Sequence, residues 1–400
     1  MEDLLPFFLI LFAGIFFSAL FRRLHLPWVI VLILGGIIIG PHALGIFEPN
    51  PTVEFIGQIG LVFLMFMAGM KTKLSIFKKF KGGVFGLAFI NGTIPFLVGI
   101  GIGFLFGYGW IAALLLGIVF VSSSIAIVIP SLEANKLLRT RLGKSVVAAT
   151  IIQDIASLVM LSVLLQILNP VTALPLPIFY ILLFISLVAL RWVLPKLRRF
   201  FSLGVRGTKD LFQQELRVIF AILIGTVISF EILGLHPIIA GFFAGLVLSG
   251  SIKSEILKEK LHTISYGLFI PTFFIIIGTK TNLGIFLESQ SAALLIAAVV
   301  LGSLLSKFAS GWIGGRIIGF TSSQSLLIGA STIPQLSTTL AVAFTAAALG
   351  LLNQELIVAM VILSTVTTFV GPLLMQMFSR RIMKDTDISE SQKVPTMNNP

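Results

Sequence analysis

One carboxylate stands in the middle of a long apolar run. Residues 146–167 read VVAATIIQDIASLVMLSVLLQI, with Asp154 near the centre and the Gln153 amide beside it. An ionised side chain at the centre of a hydrocarbon-spanning helix costs about 2.5–3.5 kcal/mol on the mildest scales. Such a residue therefore marks an ion or proton pathway, unless a neighbouring helix neutralises it purely for packing. A second charge, Lys307, lies inside the apolar run 291–315. It has three ways to lower its cost: pair with the acid, give up its proton, or reach back to the interface two turns away.

The elements around these two residues must be membrane helices. The chain has 400 residues, 57% hydrophobic and only 11% charged, whereas soluble domains carry about 25% charged residues. It contains no cysteine, which excludes disulfides and thiolate metal sites. All four histidines (His25, His42, His236 and His262) fall in predicted loops, which argues against a haem or zinc enzyme of the membrane.

Hydropathy predicts an all-α integral membrane protein of 13 transmembrane helices. They lie at about residues 4–21, 28–40, 53–70, 84–107, 110–130, 145–168, 178–194, 216–233, 238–249, 266–282, 291–315, 324–350 and 356–378. Of the 28 basic residues, all but Lys280 and Lys307 lie in the odd-numbered connections, at span ends that border them (Arg191 and Arg217), or in the C-terminal tail. That asymmetry places the N-terminus outside and the C-terminus in the cytoplasm. The net charge of +12 is thus a topology signal and a contact with membrane lipid, not a nucleic-acid footprint. Tryptophans and tyrosines gather at predicted span ends, where amphipathic rings favour the headgroup region. The N-terminal MEDLLPFF is acidic where a signal peptide would be basic, so the first span is expected to be retained. The polar residues 379–400 are expected to form a disordered cytoplasmic tail.

Spans 1–6 begin outside and spans 8–13 begin inside, as an inverted repeat joined by a linker span at 178–194 requires. Corresponding spans in the two halves carry polar interruptions, VSSSIAIVIP at 121–130 and STIPQLSTT at 331–339. Pro334 removes a backbone donor and disfavours helix at Ile333, so the twelfth span is expected to break there. Intact helices with back-bonded Ser and Thr are the alternative. Two interruptions at matching positions favour two discontinuous helices, whose freed backbone dipoles are the usual ion ligands. At about 1.5 Å rise per residue, Asp154, Lys307 and Pro334 all lie about 12–15 Å from the cytoplasmic ends of their spans.

Several motifs now share one resemblance. IGLVFLMFMAGMKTKL, VFVSSSIAIVIPSL with TRLGKSVVAATIIQDIASL, and SKFASGWIGGRIIGF with IPQLSTTLAVAF together resemble the second monovalent cation:proton antiporter family. That family includes NapA-type sodium and Kef-type potassium exchangers, and the resemblance covers about residues 1–378. It implies an NhaA-like antiporter fold with two crossed discontinuous helices, in a homodimer. A moving core would comprise residues 84–168 and 291–378, and a dimer scaffold residues 1–70 and 216–282. The family's sodium exchangers commonly carry Asp-Asp or Asn-Asp where this chain has Gln153-Asp154, and Gln-Asp resembles the Kef type. The nucleotide-binding domain of Kef-type proteins has no counterpart before residue 400, so glutathione or nucleotide gating is not expected unless a separate regulatory subunit, which the sequence does not support, supplies it.

The chemistry needs one group that holds a proton or a dehydrated cation, never both. A carboxylate removed from water does this, because desolvation penalises its charged form and lets protons compete. The expected ion-binding residues are Asp154, Gln153, Ser123, Ser124, Thr332 and Gln335, with Lys307 as charge partner. The transported species would be K⁺ or Na⁺ against H⁺, with no cofactor. One titrating acid implies electroneutral exchange in a cell membrane, bacterial in type. The competing reading is a sodium-coupled organic-anion transporter of similar fold, with Lys307 aimed at the anion. A membrane aspartyl protease would need two deep carboxylates, and a serine protease a membrane histidine; Glu54 and Glu231 lie near span ends, so the spans supply neither.

Overall fold

A backbone that leaves water must satisfy its own donors and acceptors, and long apolar runs do so as helices. In the computed structural model, residues 4–21, 28–71, 83–168, 211–232, 237–249, 255–282 and 290–391 are described, with isolated positions elsewhere. All regular structure among them is helical. The helices are α1 (Leu4–Leu20), α2 (Trp28–Ile39), α3 (Pro51–Lys71), α4 (Gly83–Leu105), α5 (Trp110–Val121), α6 (Ile125–Ala134), α7 (Arg141–Leu168) and α8 (Leu211–Ile232). They continue with α9 (Pro237–Ser249), α10 (Glu255–Ile264), α11 (Ile270–Thr279), α12 (Gln290–Ile317), α13 (Ser322–Thr332), α14 (Ser337–Ala348) and α15 (Gln354–Ser391). Between α10 and α11 a π turn spans Ser265–Phe269, just before Pro271, whose missing donor breaks the regular ladder.

Eight segments among the described residues are long and apolar enough to cross a membrane, counting α5 with α6, α10 with α11, and α13 with α14. Shorter apolar helices cover Leu4–Leu20, Trp28–Ile39 and Ala240–Ser249. The expected linker span at 178–194 lies outside the described residues apart from isolated positions.

The C-terminal expectation needs correction. Residues 379–391, read as disordered tail, continue α15 to Ser391. Extending an existing helix needs no new nucleus, so a polar stretch containing good helix formers such as Arg, Met and Lys prolongs it.

The described chain divides into two compact units. The first comprises Met1–Lys78 and Leu158–Ser289. Here α2 packs on α11, and α3 on α9, with backbones in close approach. Gly36 and Gly278 make the first contact possible: a Cβ at either would strike a carbonyl of the facing helix, that of Ile275 or Ile33. At one end of this unit Lys280 pairs with Glu54 at 2.5 Å, with both side chains partly exposed.

The second unit comprises Lys79–Ser157 and Gln290–Pro400. The division falls within α7, so Leu158 onward groups with the first unit. Twice the second unit runs through a long helix, a broken pair and a long helix: α4, α5/α6, α7, and then α12, α13/α14, α15. The helix α12 packs on α4, α13 and α15, and small residues face its neighbours. Gly311 lies 2.7 Å (from a would-be Cβ) from the Gly329 Cα, which brings α12 and α13 together almost backbone to backbone. Tyr108, in the turn between α4 and α5, donates to Glu355 Oε2 at 2.9 Å and ties that turn to the start of α15.

Candidate functional site

The site lies where two helices stop in the interior of the second unit. The α5 helix ends at Val121 because three consecutive serines follow, and serine hydroxyls compete with helical backbone bonding. Ser122 and Ser124 adopt extended backbone, at φ −67°, ψ 156° and φ −85°, ψ 107°, before α6 resumes at Ile125. The α13 helix ends at Thr332, next to Ile333 and Pro334. Ile333 was expected to leave the helical region; instead it keeps φ −66° and ψ −46°. The chain turns at Leu336, at φ −147° and ψ −84°, before α14 begins. The break thus follows from the donor that Pro334 lacks more than from a displaced neighbour.

Stopping a helix indoors leaves carbonyls without partners, and each break supplies what the other lacks. At the end of α5, Val119 O accepts from Ser122 Oγ at 3.2 Å and Phe120 O from Gln335 Nε2 at 3.4 Å. The ammonium of Lys307 donates to Val121 O at 2.6 Å. In the other direction Thr332 O accepts from Ser123 Oγ at 2.9 Å, and Pro334 O from the Ser124 backbone N–H at 2.6 Å. Ser122 and Thr339 hydroxyls meet at 2.9 Å. The two helix breaks therefore meet, stitched by side chains and backbone.

Against this junction α7 presents Gln153 and Asp154, both buried. Thr338, in the first turn of α14, donates its hydroxyl to Asp154 Oδ1 at 3.2 Å. The hydroxyl of Ser123 donates to Gln153 Oε1 at 3.1 Å or to Thr332 O, and accepts from Lys307 Nζ at 3.1 Å. Lys307 is fully buried, so it does not reach back to an interface. Nor does an ion pair join it to Asp154 among the described residues. Its charge is directed at the carbonyl end of α5, the negative end of a helix dipole.

The expected residues thus divide. Asp154, Gln153, Ser123 and Lys307 form one connected cluster. Ser124 contributes its backbone N–H to the junction, while its buried hydroxyl has no hydrogen-bond partner. The Thr332 hydroxyl turns to Gly329 O and Lys307 O, at 3.0 and 3.3 Å, and away from Asp154. Gln335 faces Phe120 O and exchanges bonds with Thr367, leaving its buried Oε1 without a partner. Thr150, one turn before Asp154 on α7, also holds an unpartnered buried hydroxyl.

Two residues of the cluster escaped sequence reasoning. Thr338 follows the break and reads as an ordinary helical threonine. Asn91, fully buried on α4, donates to Lys307 O and Ser310 Oγ at 2.8 Å each, and to Thr332 Oγ1 at 3.2 Å. Its Oδ1 accepts from Gln153 Nε2 at 2.7 Å. The available signal was an uncharged amide in an otherwise apolar stretch, AFINGTIPF, which hydropathy averages away.

A cluster of one acid, neutral oxygens and joined helix breaks is suited to a hard monovalent cation or a proton. Comparison with known proteins agrees in kind. The family profile described as "Sodium/hydrogen exchanger, transmembrane" matches residues 7–380. The chain belongs to this family. A relative named "Probable Na(+)/H(+) antiporter 3", from Methanocaldococcus jannaschii, is 32% identical over 376 residues, covering 92% of this chain and 95% of its own. The "Na(+)/H(+)-K(+) antiporter GerN" of Bacillus cereus is 27% identical over 353 residues, covering 88% of this chain and 89% of its own. Among solved structures, the sodium proton antiporter MjNhaP1 of Methanocaldococcus jannaschii at pH 8 matches with a TM-score of 0.66. At 18% identity it covers 95% of this chain and 99% of its own, and so shares the fold. This exchanger-family chain is accordingly a multi-pass membrane protein.

Proposed function

We propose that this chain exchanges a monovalent cation for a proton by alternating access, with Asp154 binding one or the other. The observation that carries the reading is the buried Asp154 set against two joined helix breaks, with unpartnered oxygens on Ser124, Gln335 and Thr150 nearby in the same unit. Buried polar atoms without partners call for an explanation, and a dehydrated cation that visits the site supplies one. Gln153 would add its amide oxygen. The Gln153-Asp154 pair tilts the ion towards K⁺, as in the Kef-type branch of the second monovalent cation:proton antiporter family, with Na⁺ as the alternative.

Exchange is electroneutral in this reading. Asp154 changes occupancy in each cycle, while Lys307 stays bound to Val121 O. The same engagement weighs against the organic-anion transporter, which needs a free cation to meet its substrate. The working assembly is a homodimer in a bacterial plasma membrane, N-terminus outside, with 84–168 and 291–378 rocking against 1–70 and 216–282.

The test uses proteoliposomes with an imposed pH gradient and a lumenal pH dye. Na⁺, K⁺ and Li⁺ are added separately to the native protein and to Asp154→Asn. Gradient collapse by at least one ion, abolished in Asp154→Asn, is expected, with the apparent KM for that ion rising as pH falls. Transport that survives in Asp154→Asn refutes the assignment. A response to membrane voltage refutes electroneutrality.

A further inference from the structure

We infer that Asn91 is a positioning residue that forces Gln153 to present its oxygen, and not its amino group, to the ion site. The inference rests on the exchange reading above and specifies how the site is made selective for a cation.

One group in the cluster cannot reverse its polarity. Lys307 O is a backbone carbonyl and only accepts, so the Asn91 atom 2.8 Å from it must be Nδ2. The same nitrogen also reaches Ser310 Oγ and Thr332 Oγ1. Asn91 Oδ1 therefore points the other way, at Gln153. A carbonyl oxygen of an amide also only accepts, so Gln153 must meet it with Nε2, at 2.7 Å. Gln153 Nε2 has a second acceptor, Ala88 O at 3.4 Å, on the same helix as Asn91. With its amino group held on both counts, Gln153 turns Oε1 towards Ser123, next to the Lys307 ammonium and one residue from Asp154.

Without this relay an amide has two nearly isosteric orientations. One offers a cation ligand; the other offers a positive edge that repels it. Gly311 is what lets Asn91 reach its carbonyl: a Cβ at that position would come within 3.2 Å of Asn91 Nδ2. The relay thus runs from a fixed backbone carbonyl of α12, through α4, to the residue beside the carboxylate on α7.

Protons bind the carboxylate and not Gln153, so loss of the relay weakens cation binding selectively. Asn91→Ala and the smaller polar Asn91→Ser are reconstituted with the native protein, Gln153→Ala and the double variant Asn91→Ala/Gln153→Ala. Initial rates are measured against cation concentration. For each Asn91 single variant, a KM raised roughly five- to tenfold is expected, as for one lost hydrogen bond of ordinary strength, with the maximal rate within about twofold. In the Gln153→Ala background the Asn91 substitution should change KM by less than about twofold, because coupled sites are non-additive. A general packing role would lower the maximal rate in both backgrounds alike. Unchanged KM in a folded Asn91 variant, or an undiminished effect without Gln153, overturns the inference while the native exchanger stays active. A native protein silent to every cation defeats the exchange reading first, and this inference with it.

Discussion

Replacing Gly311 by alanine places one methyl group at a close backbone approach of α12 to α13. The new Cβ would lie 2.7 Å from Gly329 Cα, 2.9 Å from Thr332 Oγ1 and 3.2 Å from Asn91 Nδ2. Ordinary carbon–carbon contact is about 3.5–4.0 Å, so α12 and α13 must part by about 1 Å, and the nearest atom is backbone that no rotamer can move. Overpacking of this kind costs about 1–3 kcal/mol. Alanine recovers about 1 kcal/mol of helix propensity, leaving a net loss of up to about 2 kcal/mol. Gly101, on α4, is the control: nothing lies within 4 Å of its would-be Cβ, so only the propensity gain applies there. The two chemically identical substitutions should therefore shift thermal unfolding of the detergent-solubilised protein in opposite directions. Gly311→Ala should also raise the cation KM, because it displaces Asn91 from Lys307 O. Equal melting temperatures for Gly311→Ala and Gly101→Ala would refute the claim that α12 and α13 touch through their glycines.

Further outcomes follow from particular contacts. Gly371→Ala would drive a methyl into the rigid ring of Pro334, so it should slow transport by shifting the α13/α14 break; rates at saturating cation test this. Burial pushes the Tyr108 phenol up from 10.0 to about 12, opposed in part by its bond from Asn353, while Glu355 pushes the same way as burial. The folded chain thus keeps a proton that the unfolded chain loses, so this contribution is intact below pH 10 and is lost between pH 10 and about 12. The alkaline absorbance difference between native protein and Tyr108→Phe should have its midpoint near 12. Glu54→Gln breaks the ion pair to Lys280, but that pair is half exposed, so stability should change by less than about 1 kcal/mol, and less in high salt.

Much of the site is legible in the residue order because a membrane makes exceptions visible. Asp154 and Lys307 stand out against hydrocarbon, where an acid or base must be accounted for. The serines at 122–124 and Pro334 announce helix ends by local chemistry alone. What those ends touch is not legible there. Lys307 was expected as the charge partner of Asp154; its direct hydrogen bond goes to the carbonyl end of α5, supplied by another segment of the chain. Thr332 and Gln335 are in the expected break but turn to Gly329, Phe120 and Thr367. Asn91 gives little signal because an uncharged amide barely alters a hydropathy window, though a buried one must find several partners.

The amino-acid sequence by itself therefore determined a helical membrane protein, one deep acid, one deep base and two interrupted helices. These follow from solvation cost and backbone donor counts, which depend on residue type and short-range order. Only the tertiary structure decided that the interruptions meet, that Thr338 faces the acid, and that Asn91 bonds Gln153. Those relations join residues up to 241 positions apart. Hydrogen bonds are directional and act over about 3 Å, so which donor meets which acceptor is set by how the helices pack and is not encoded in any local pattern.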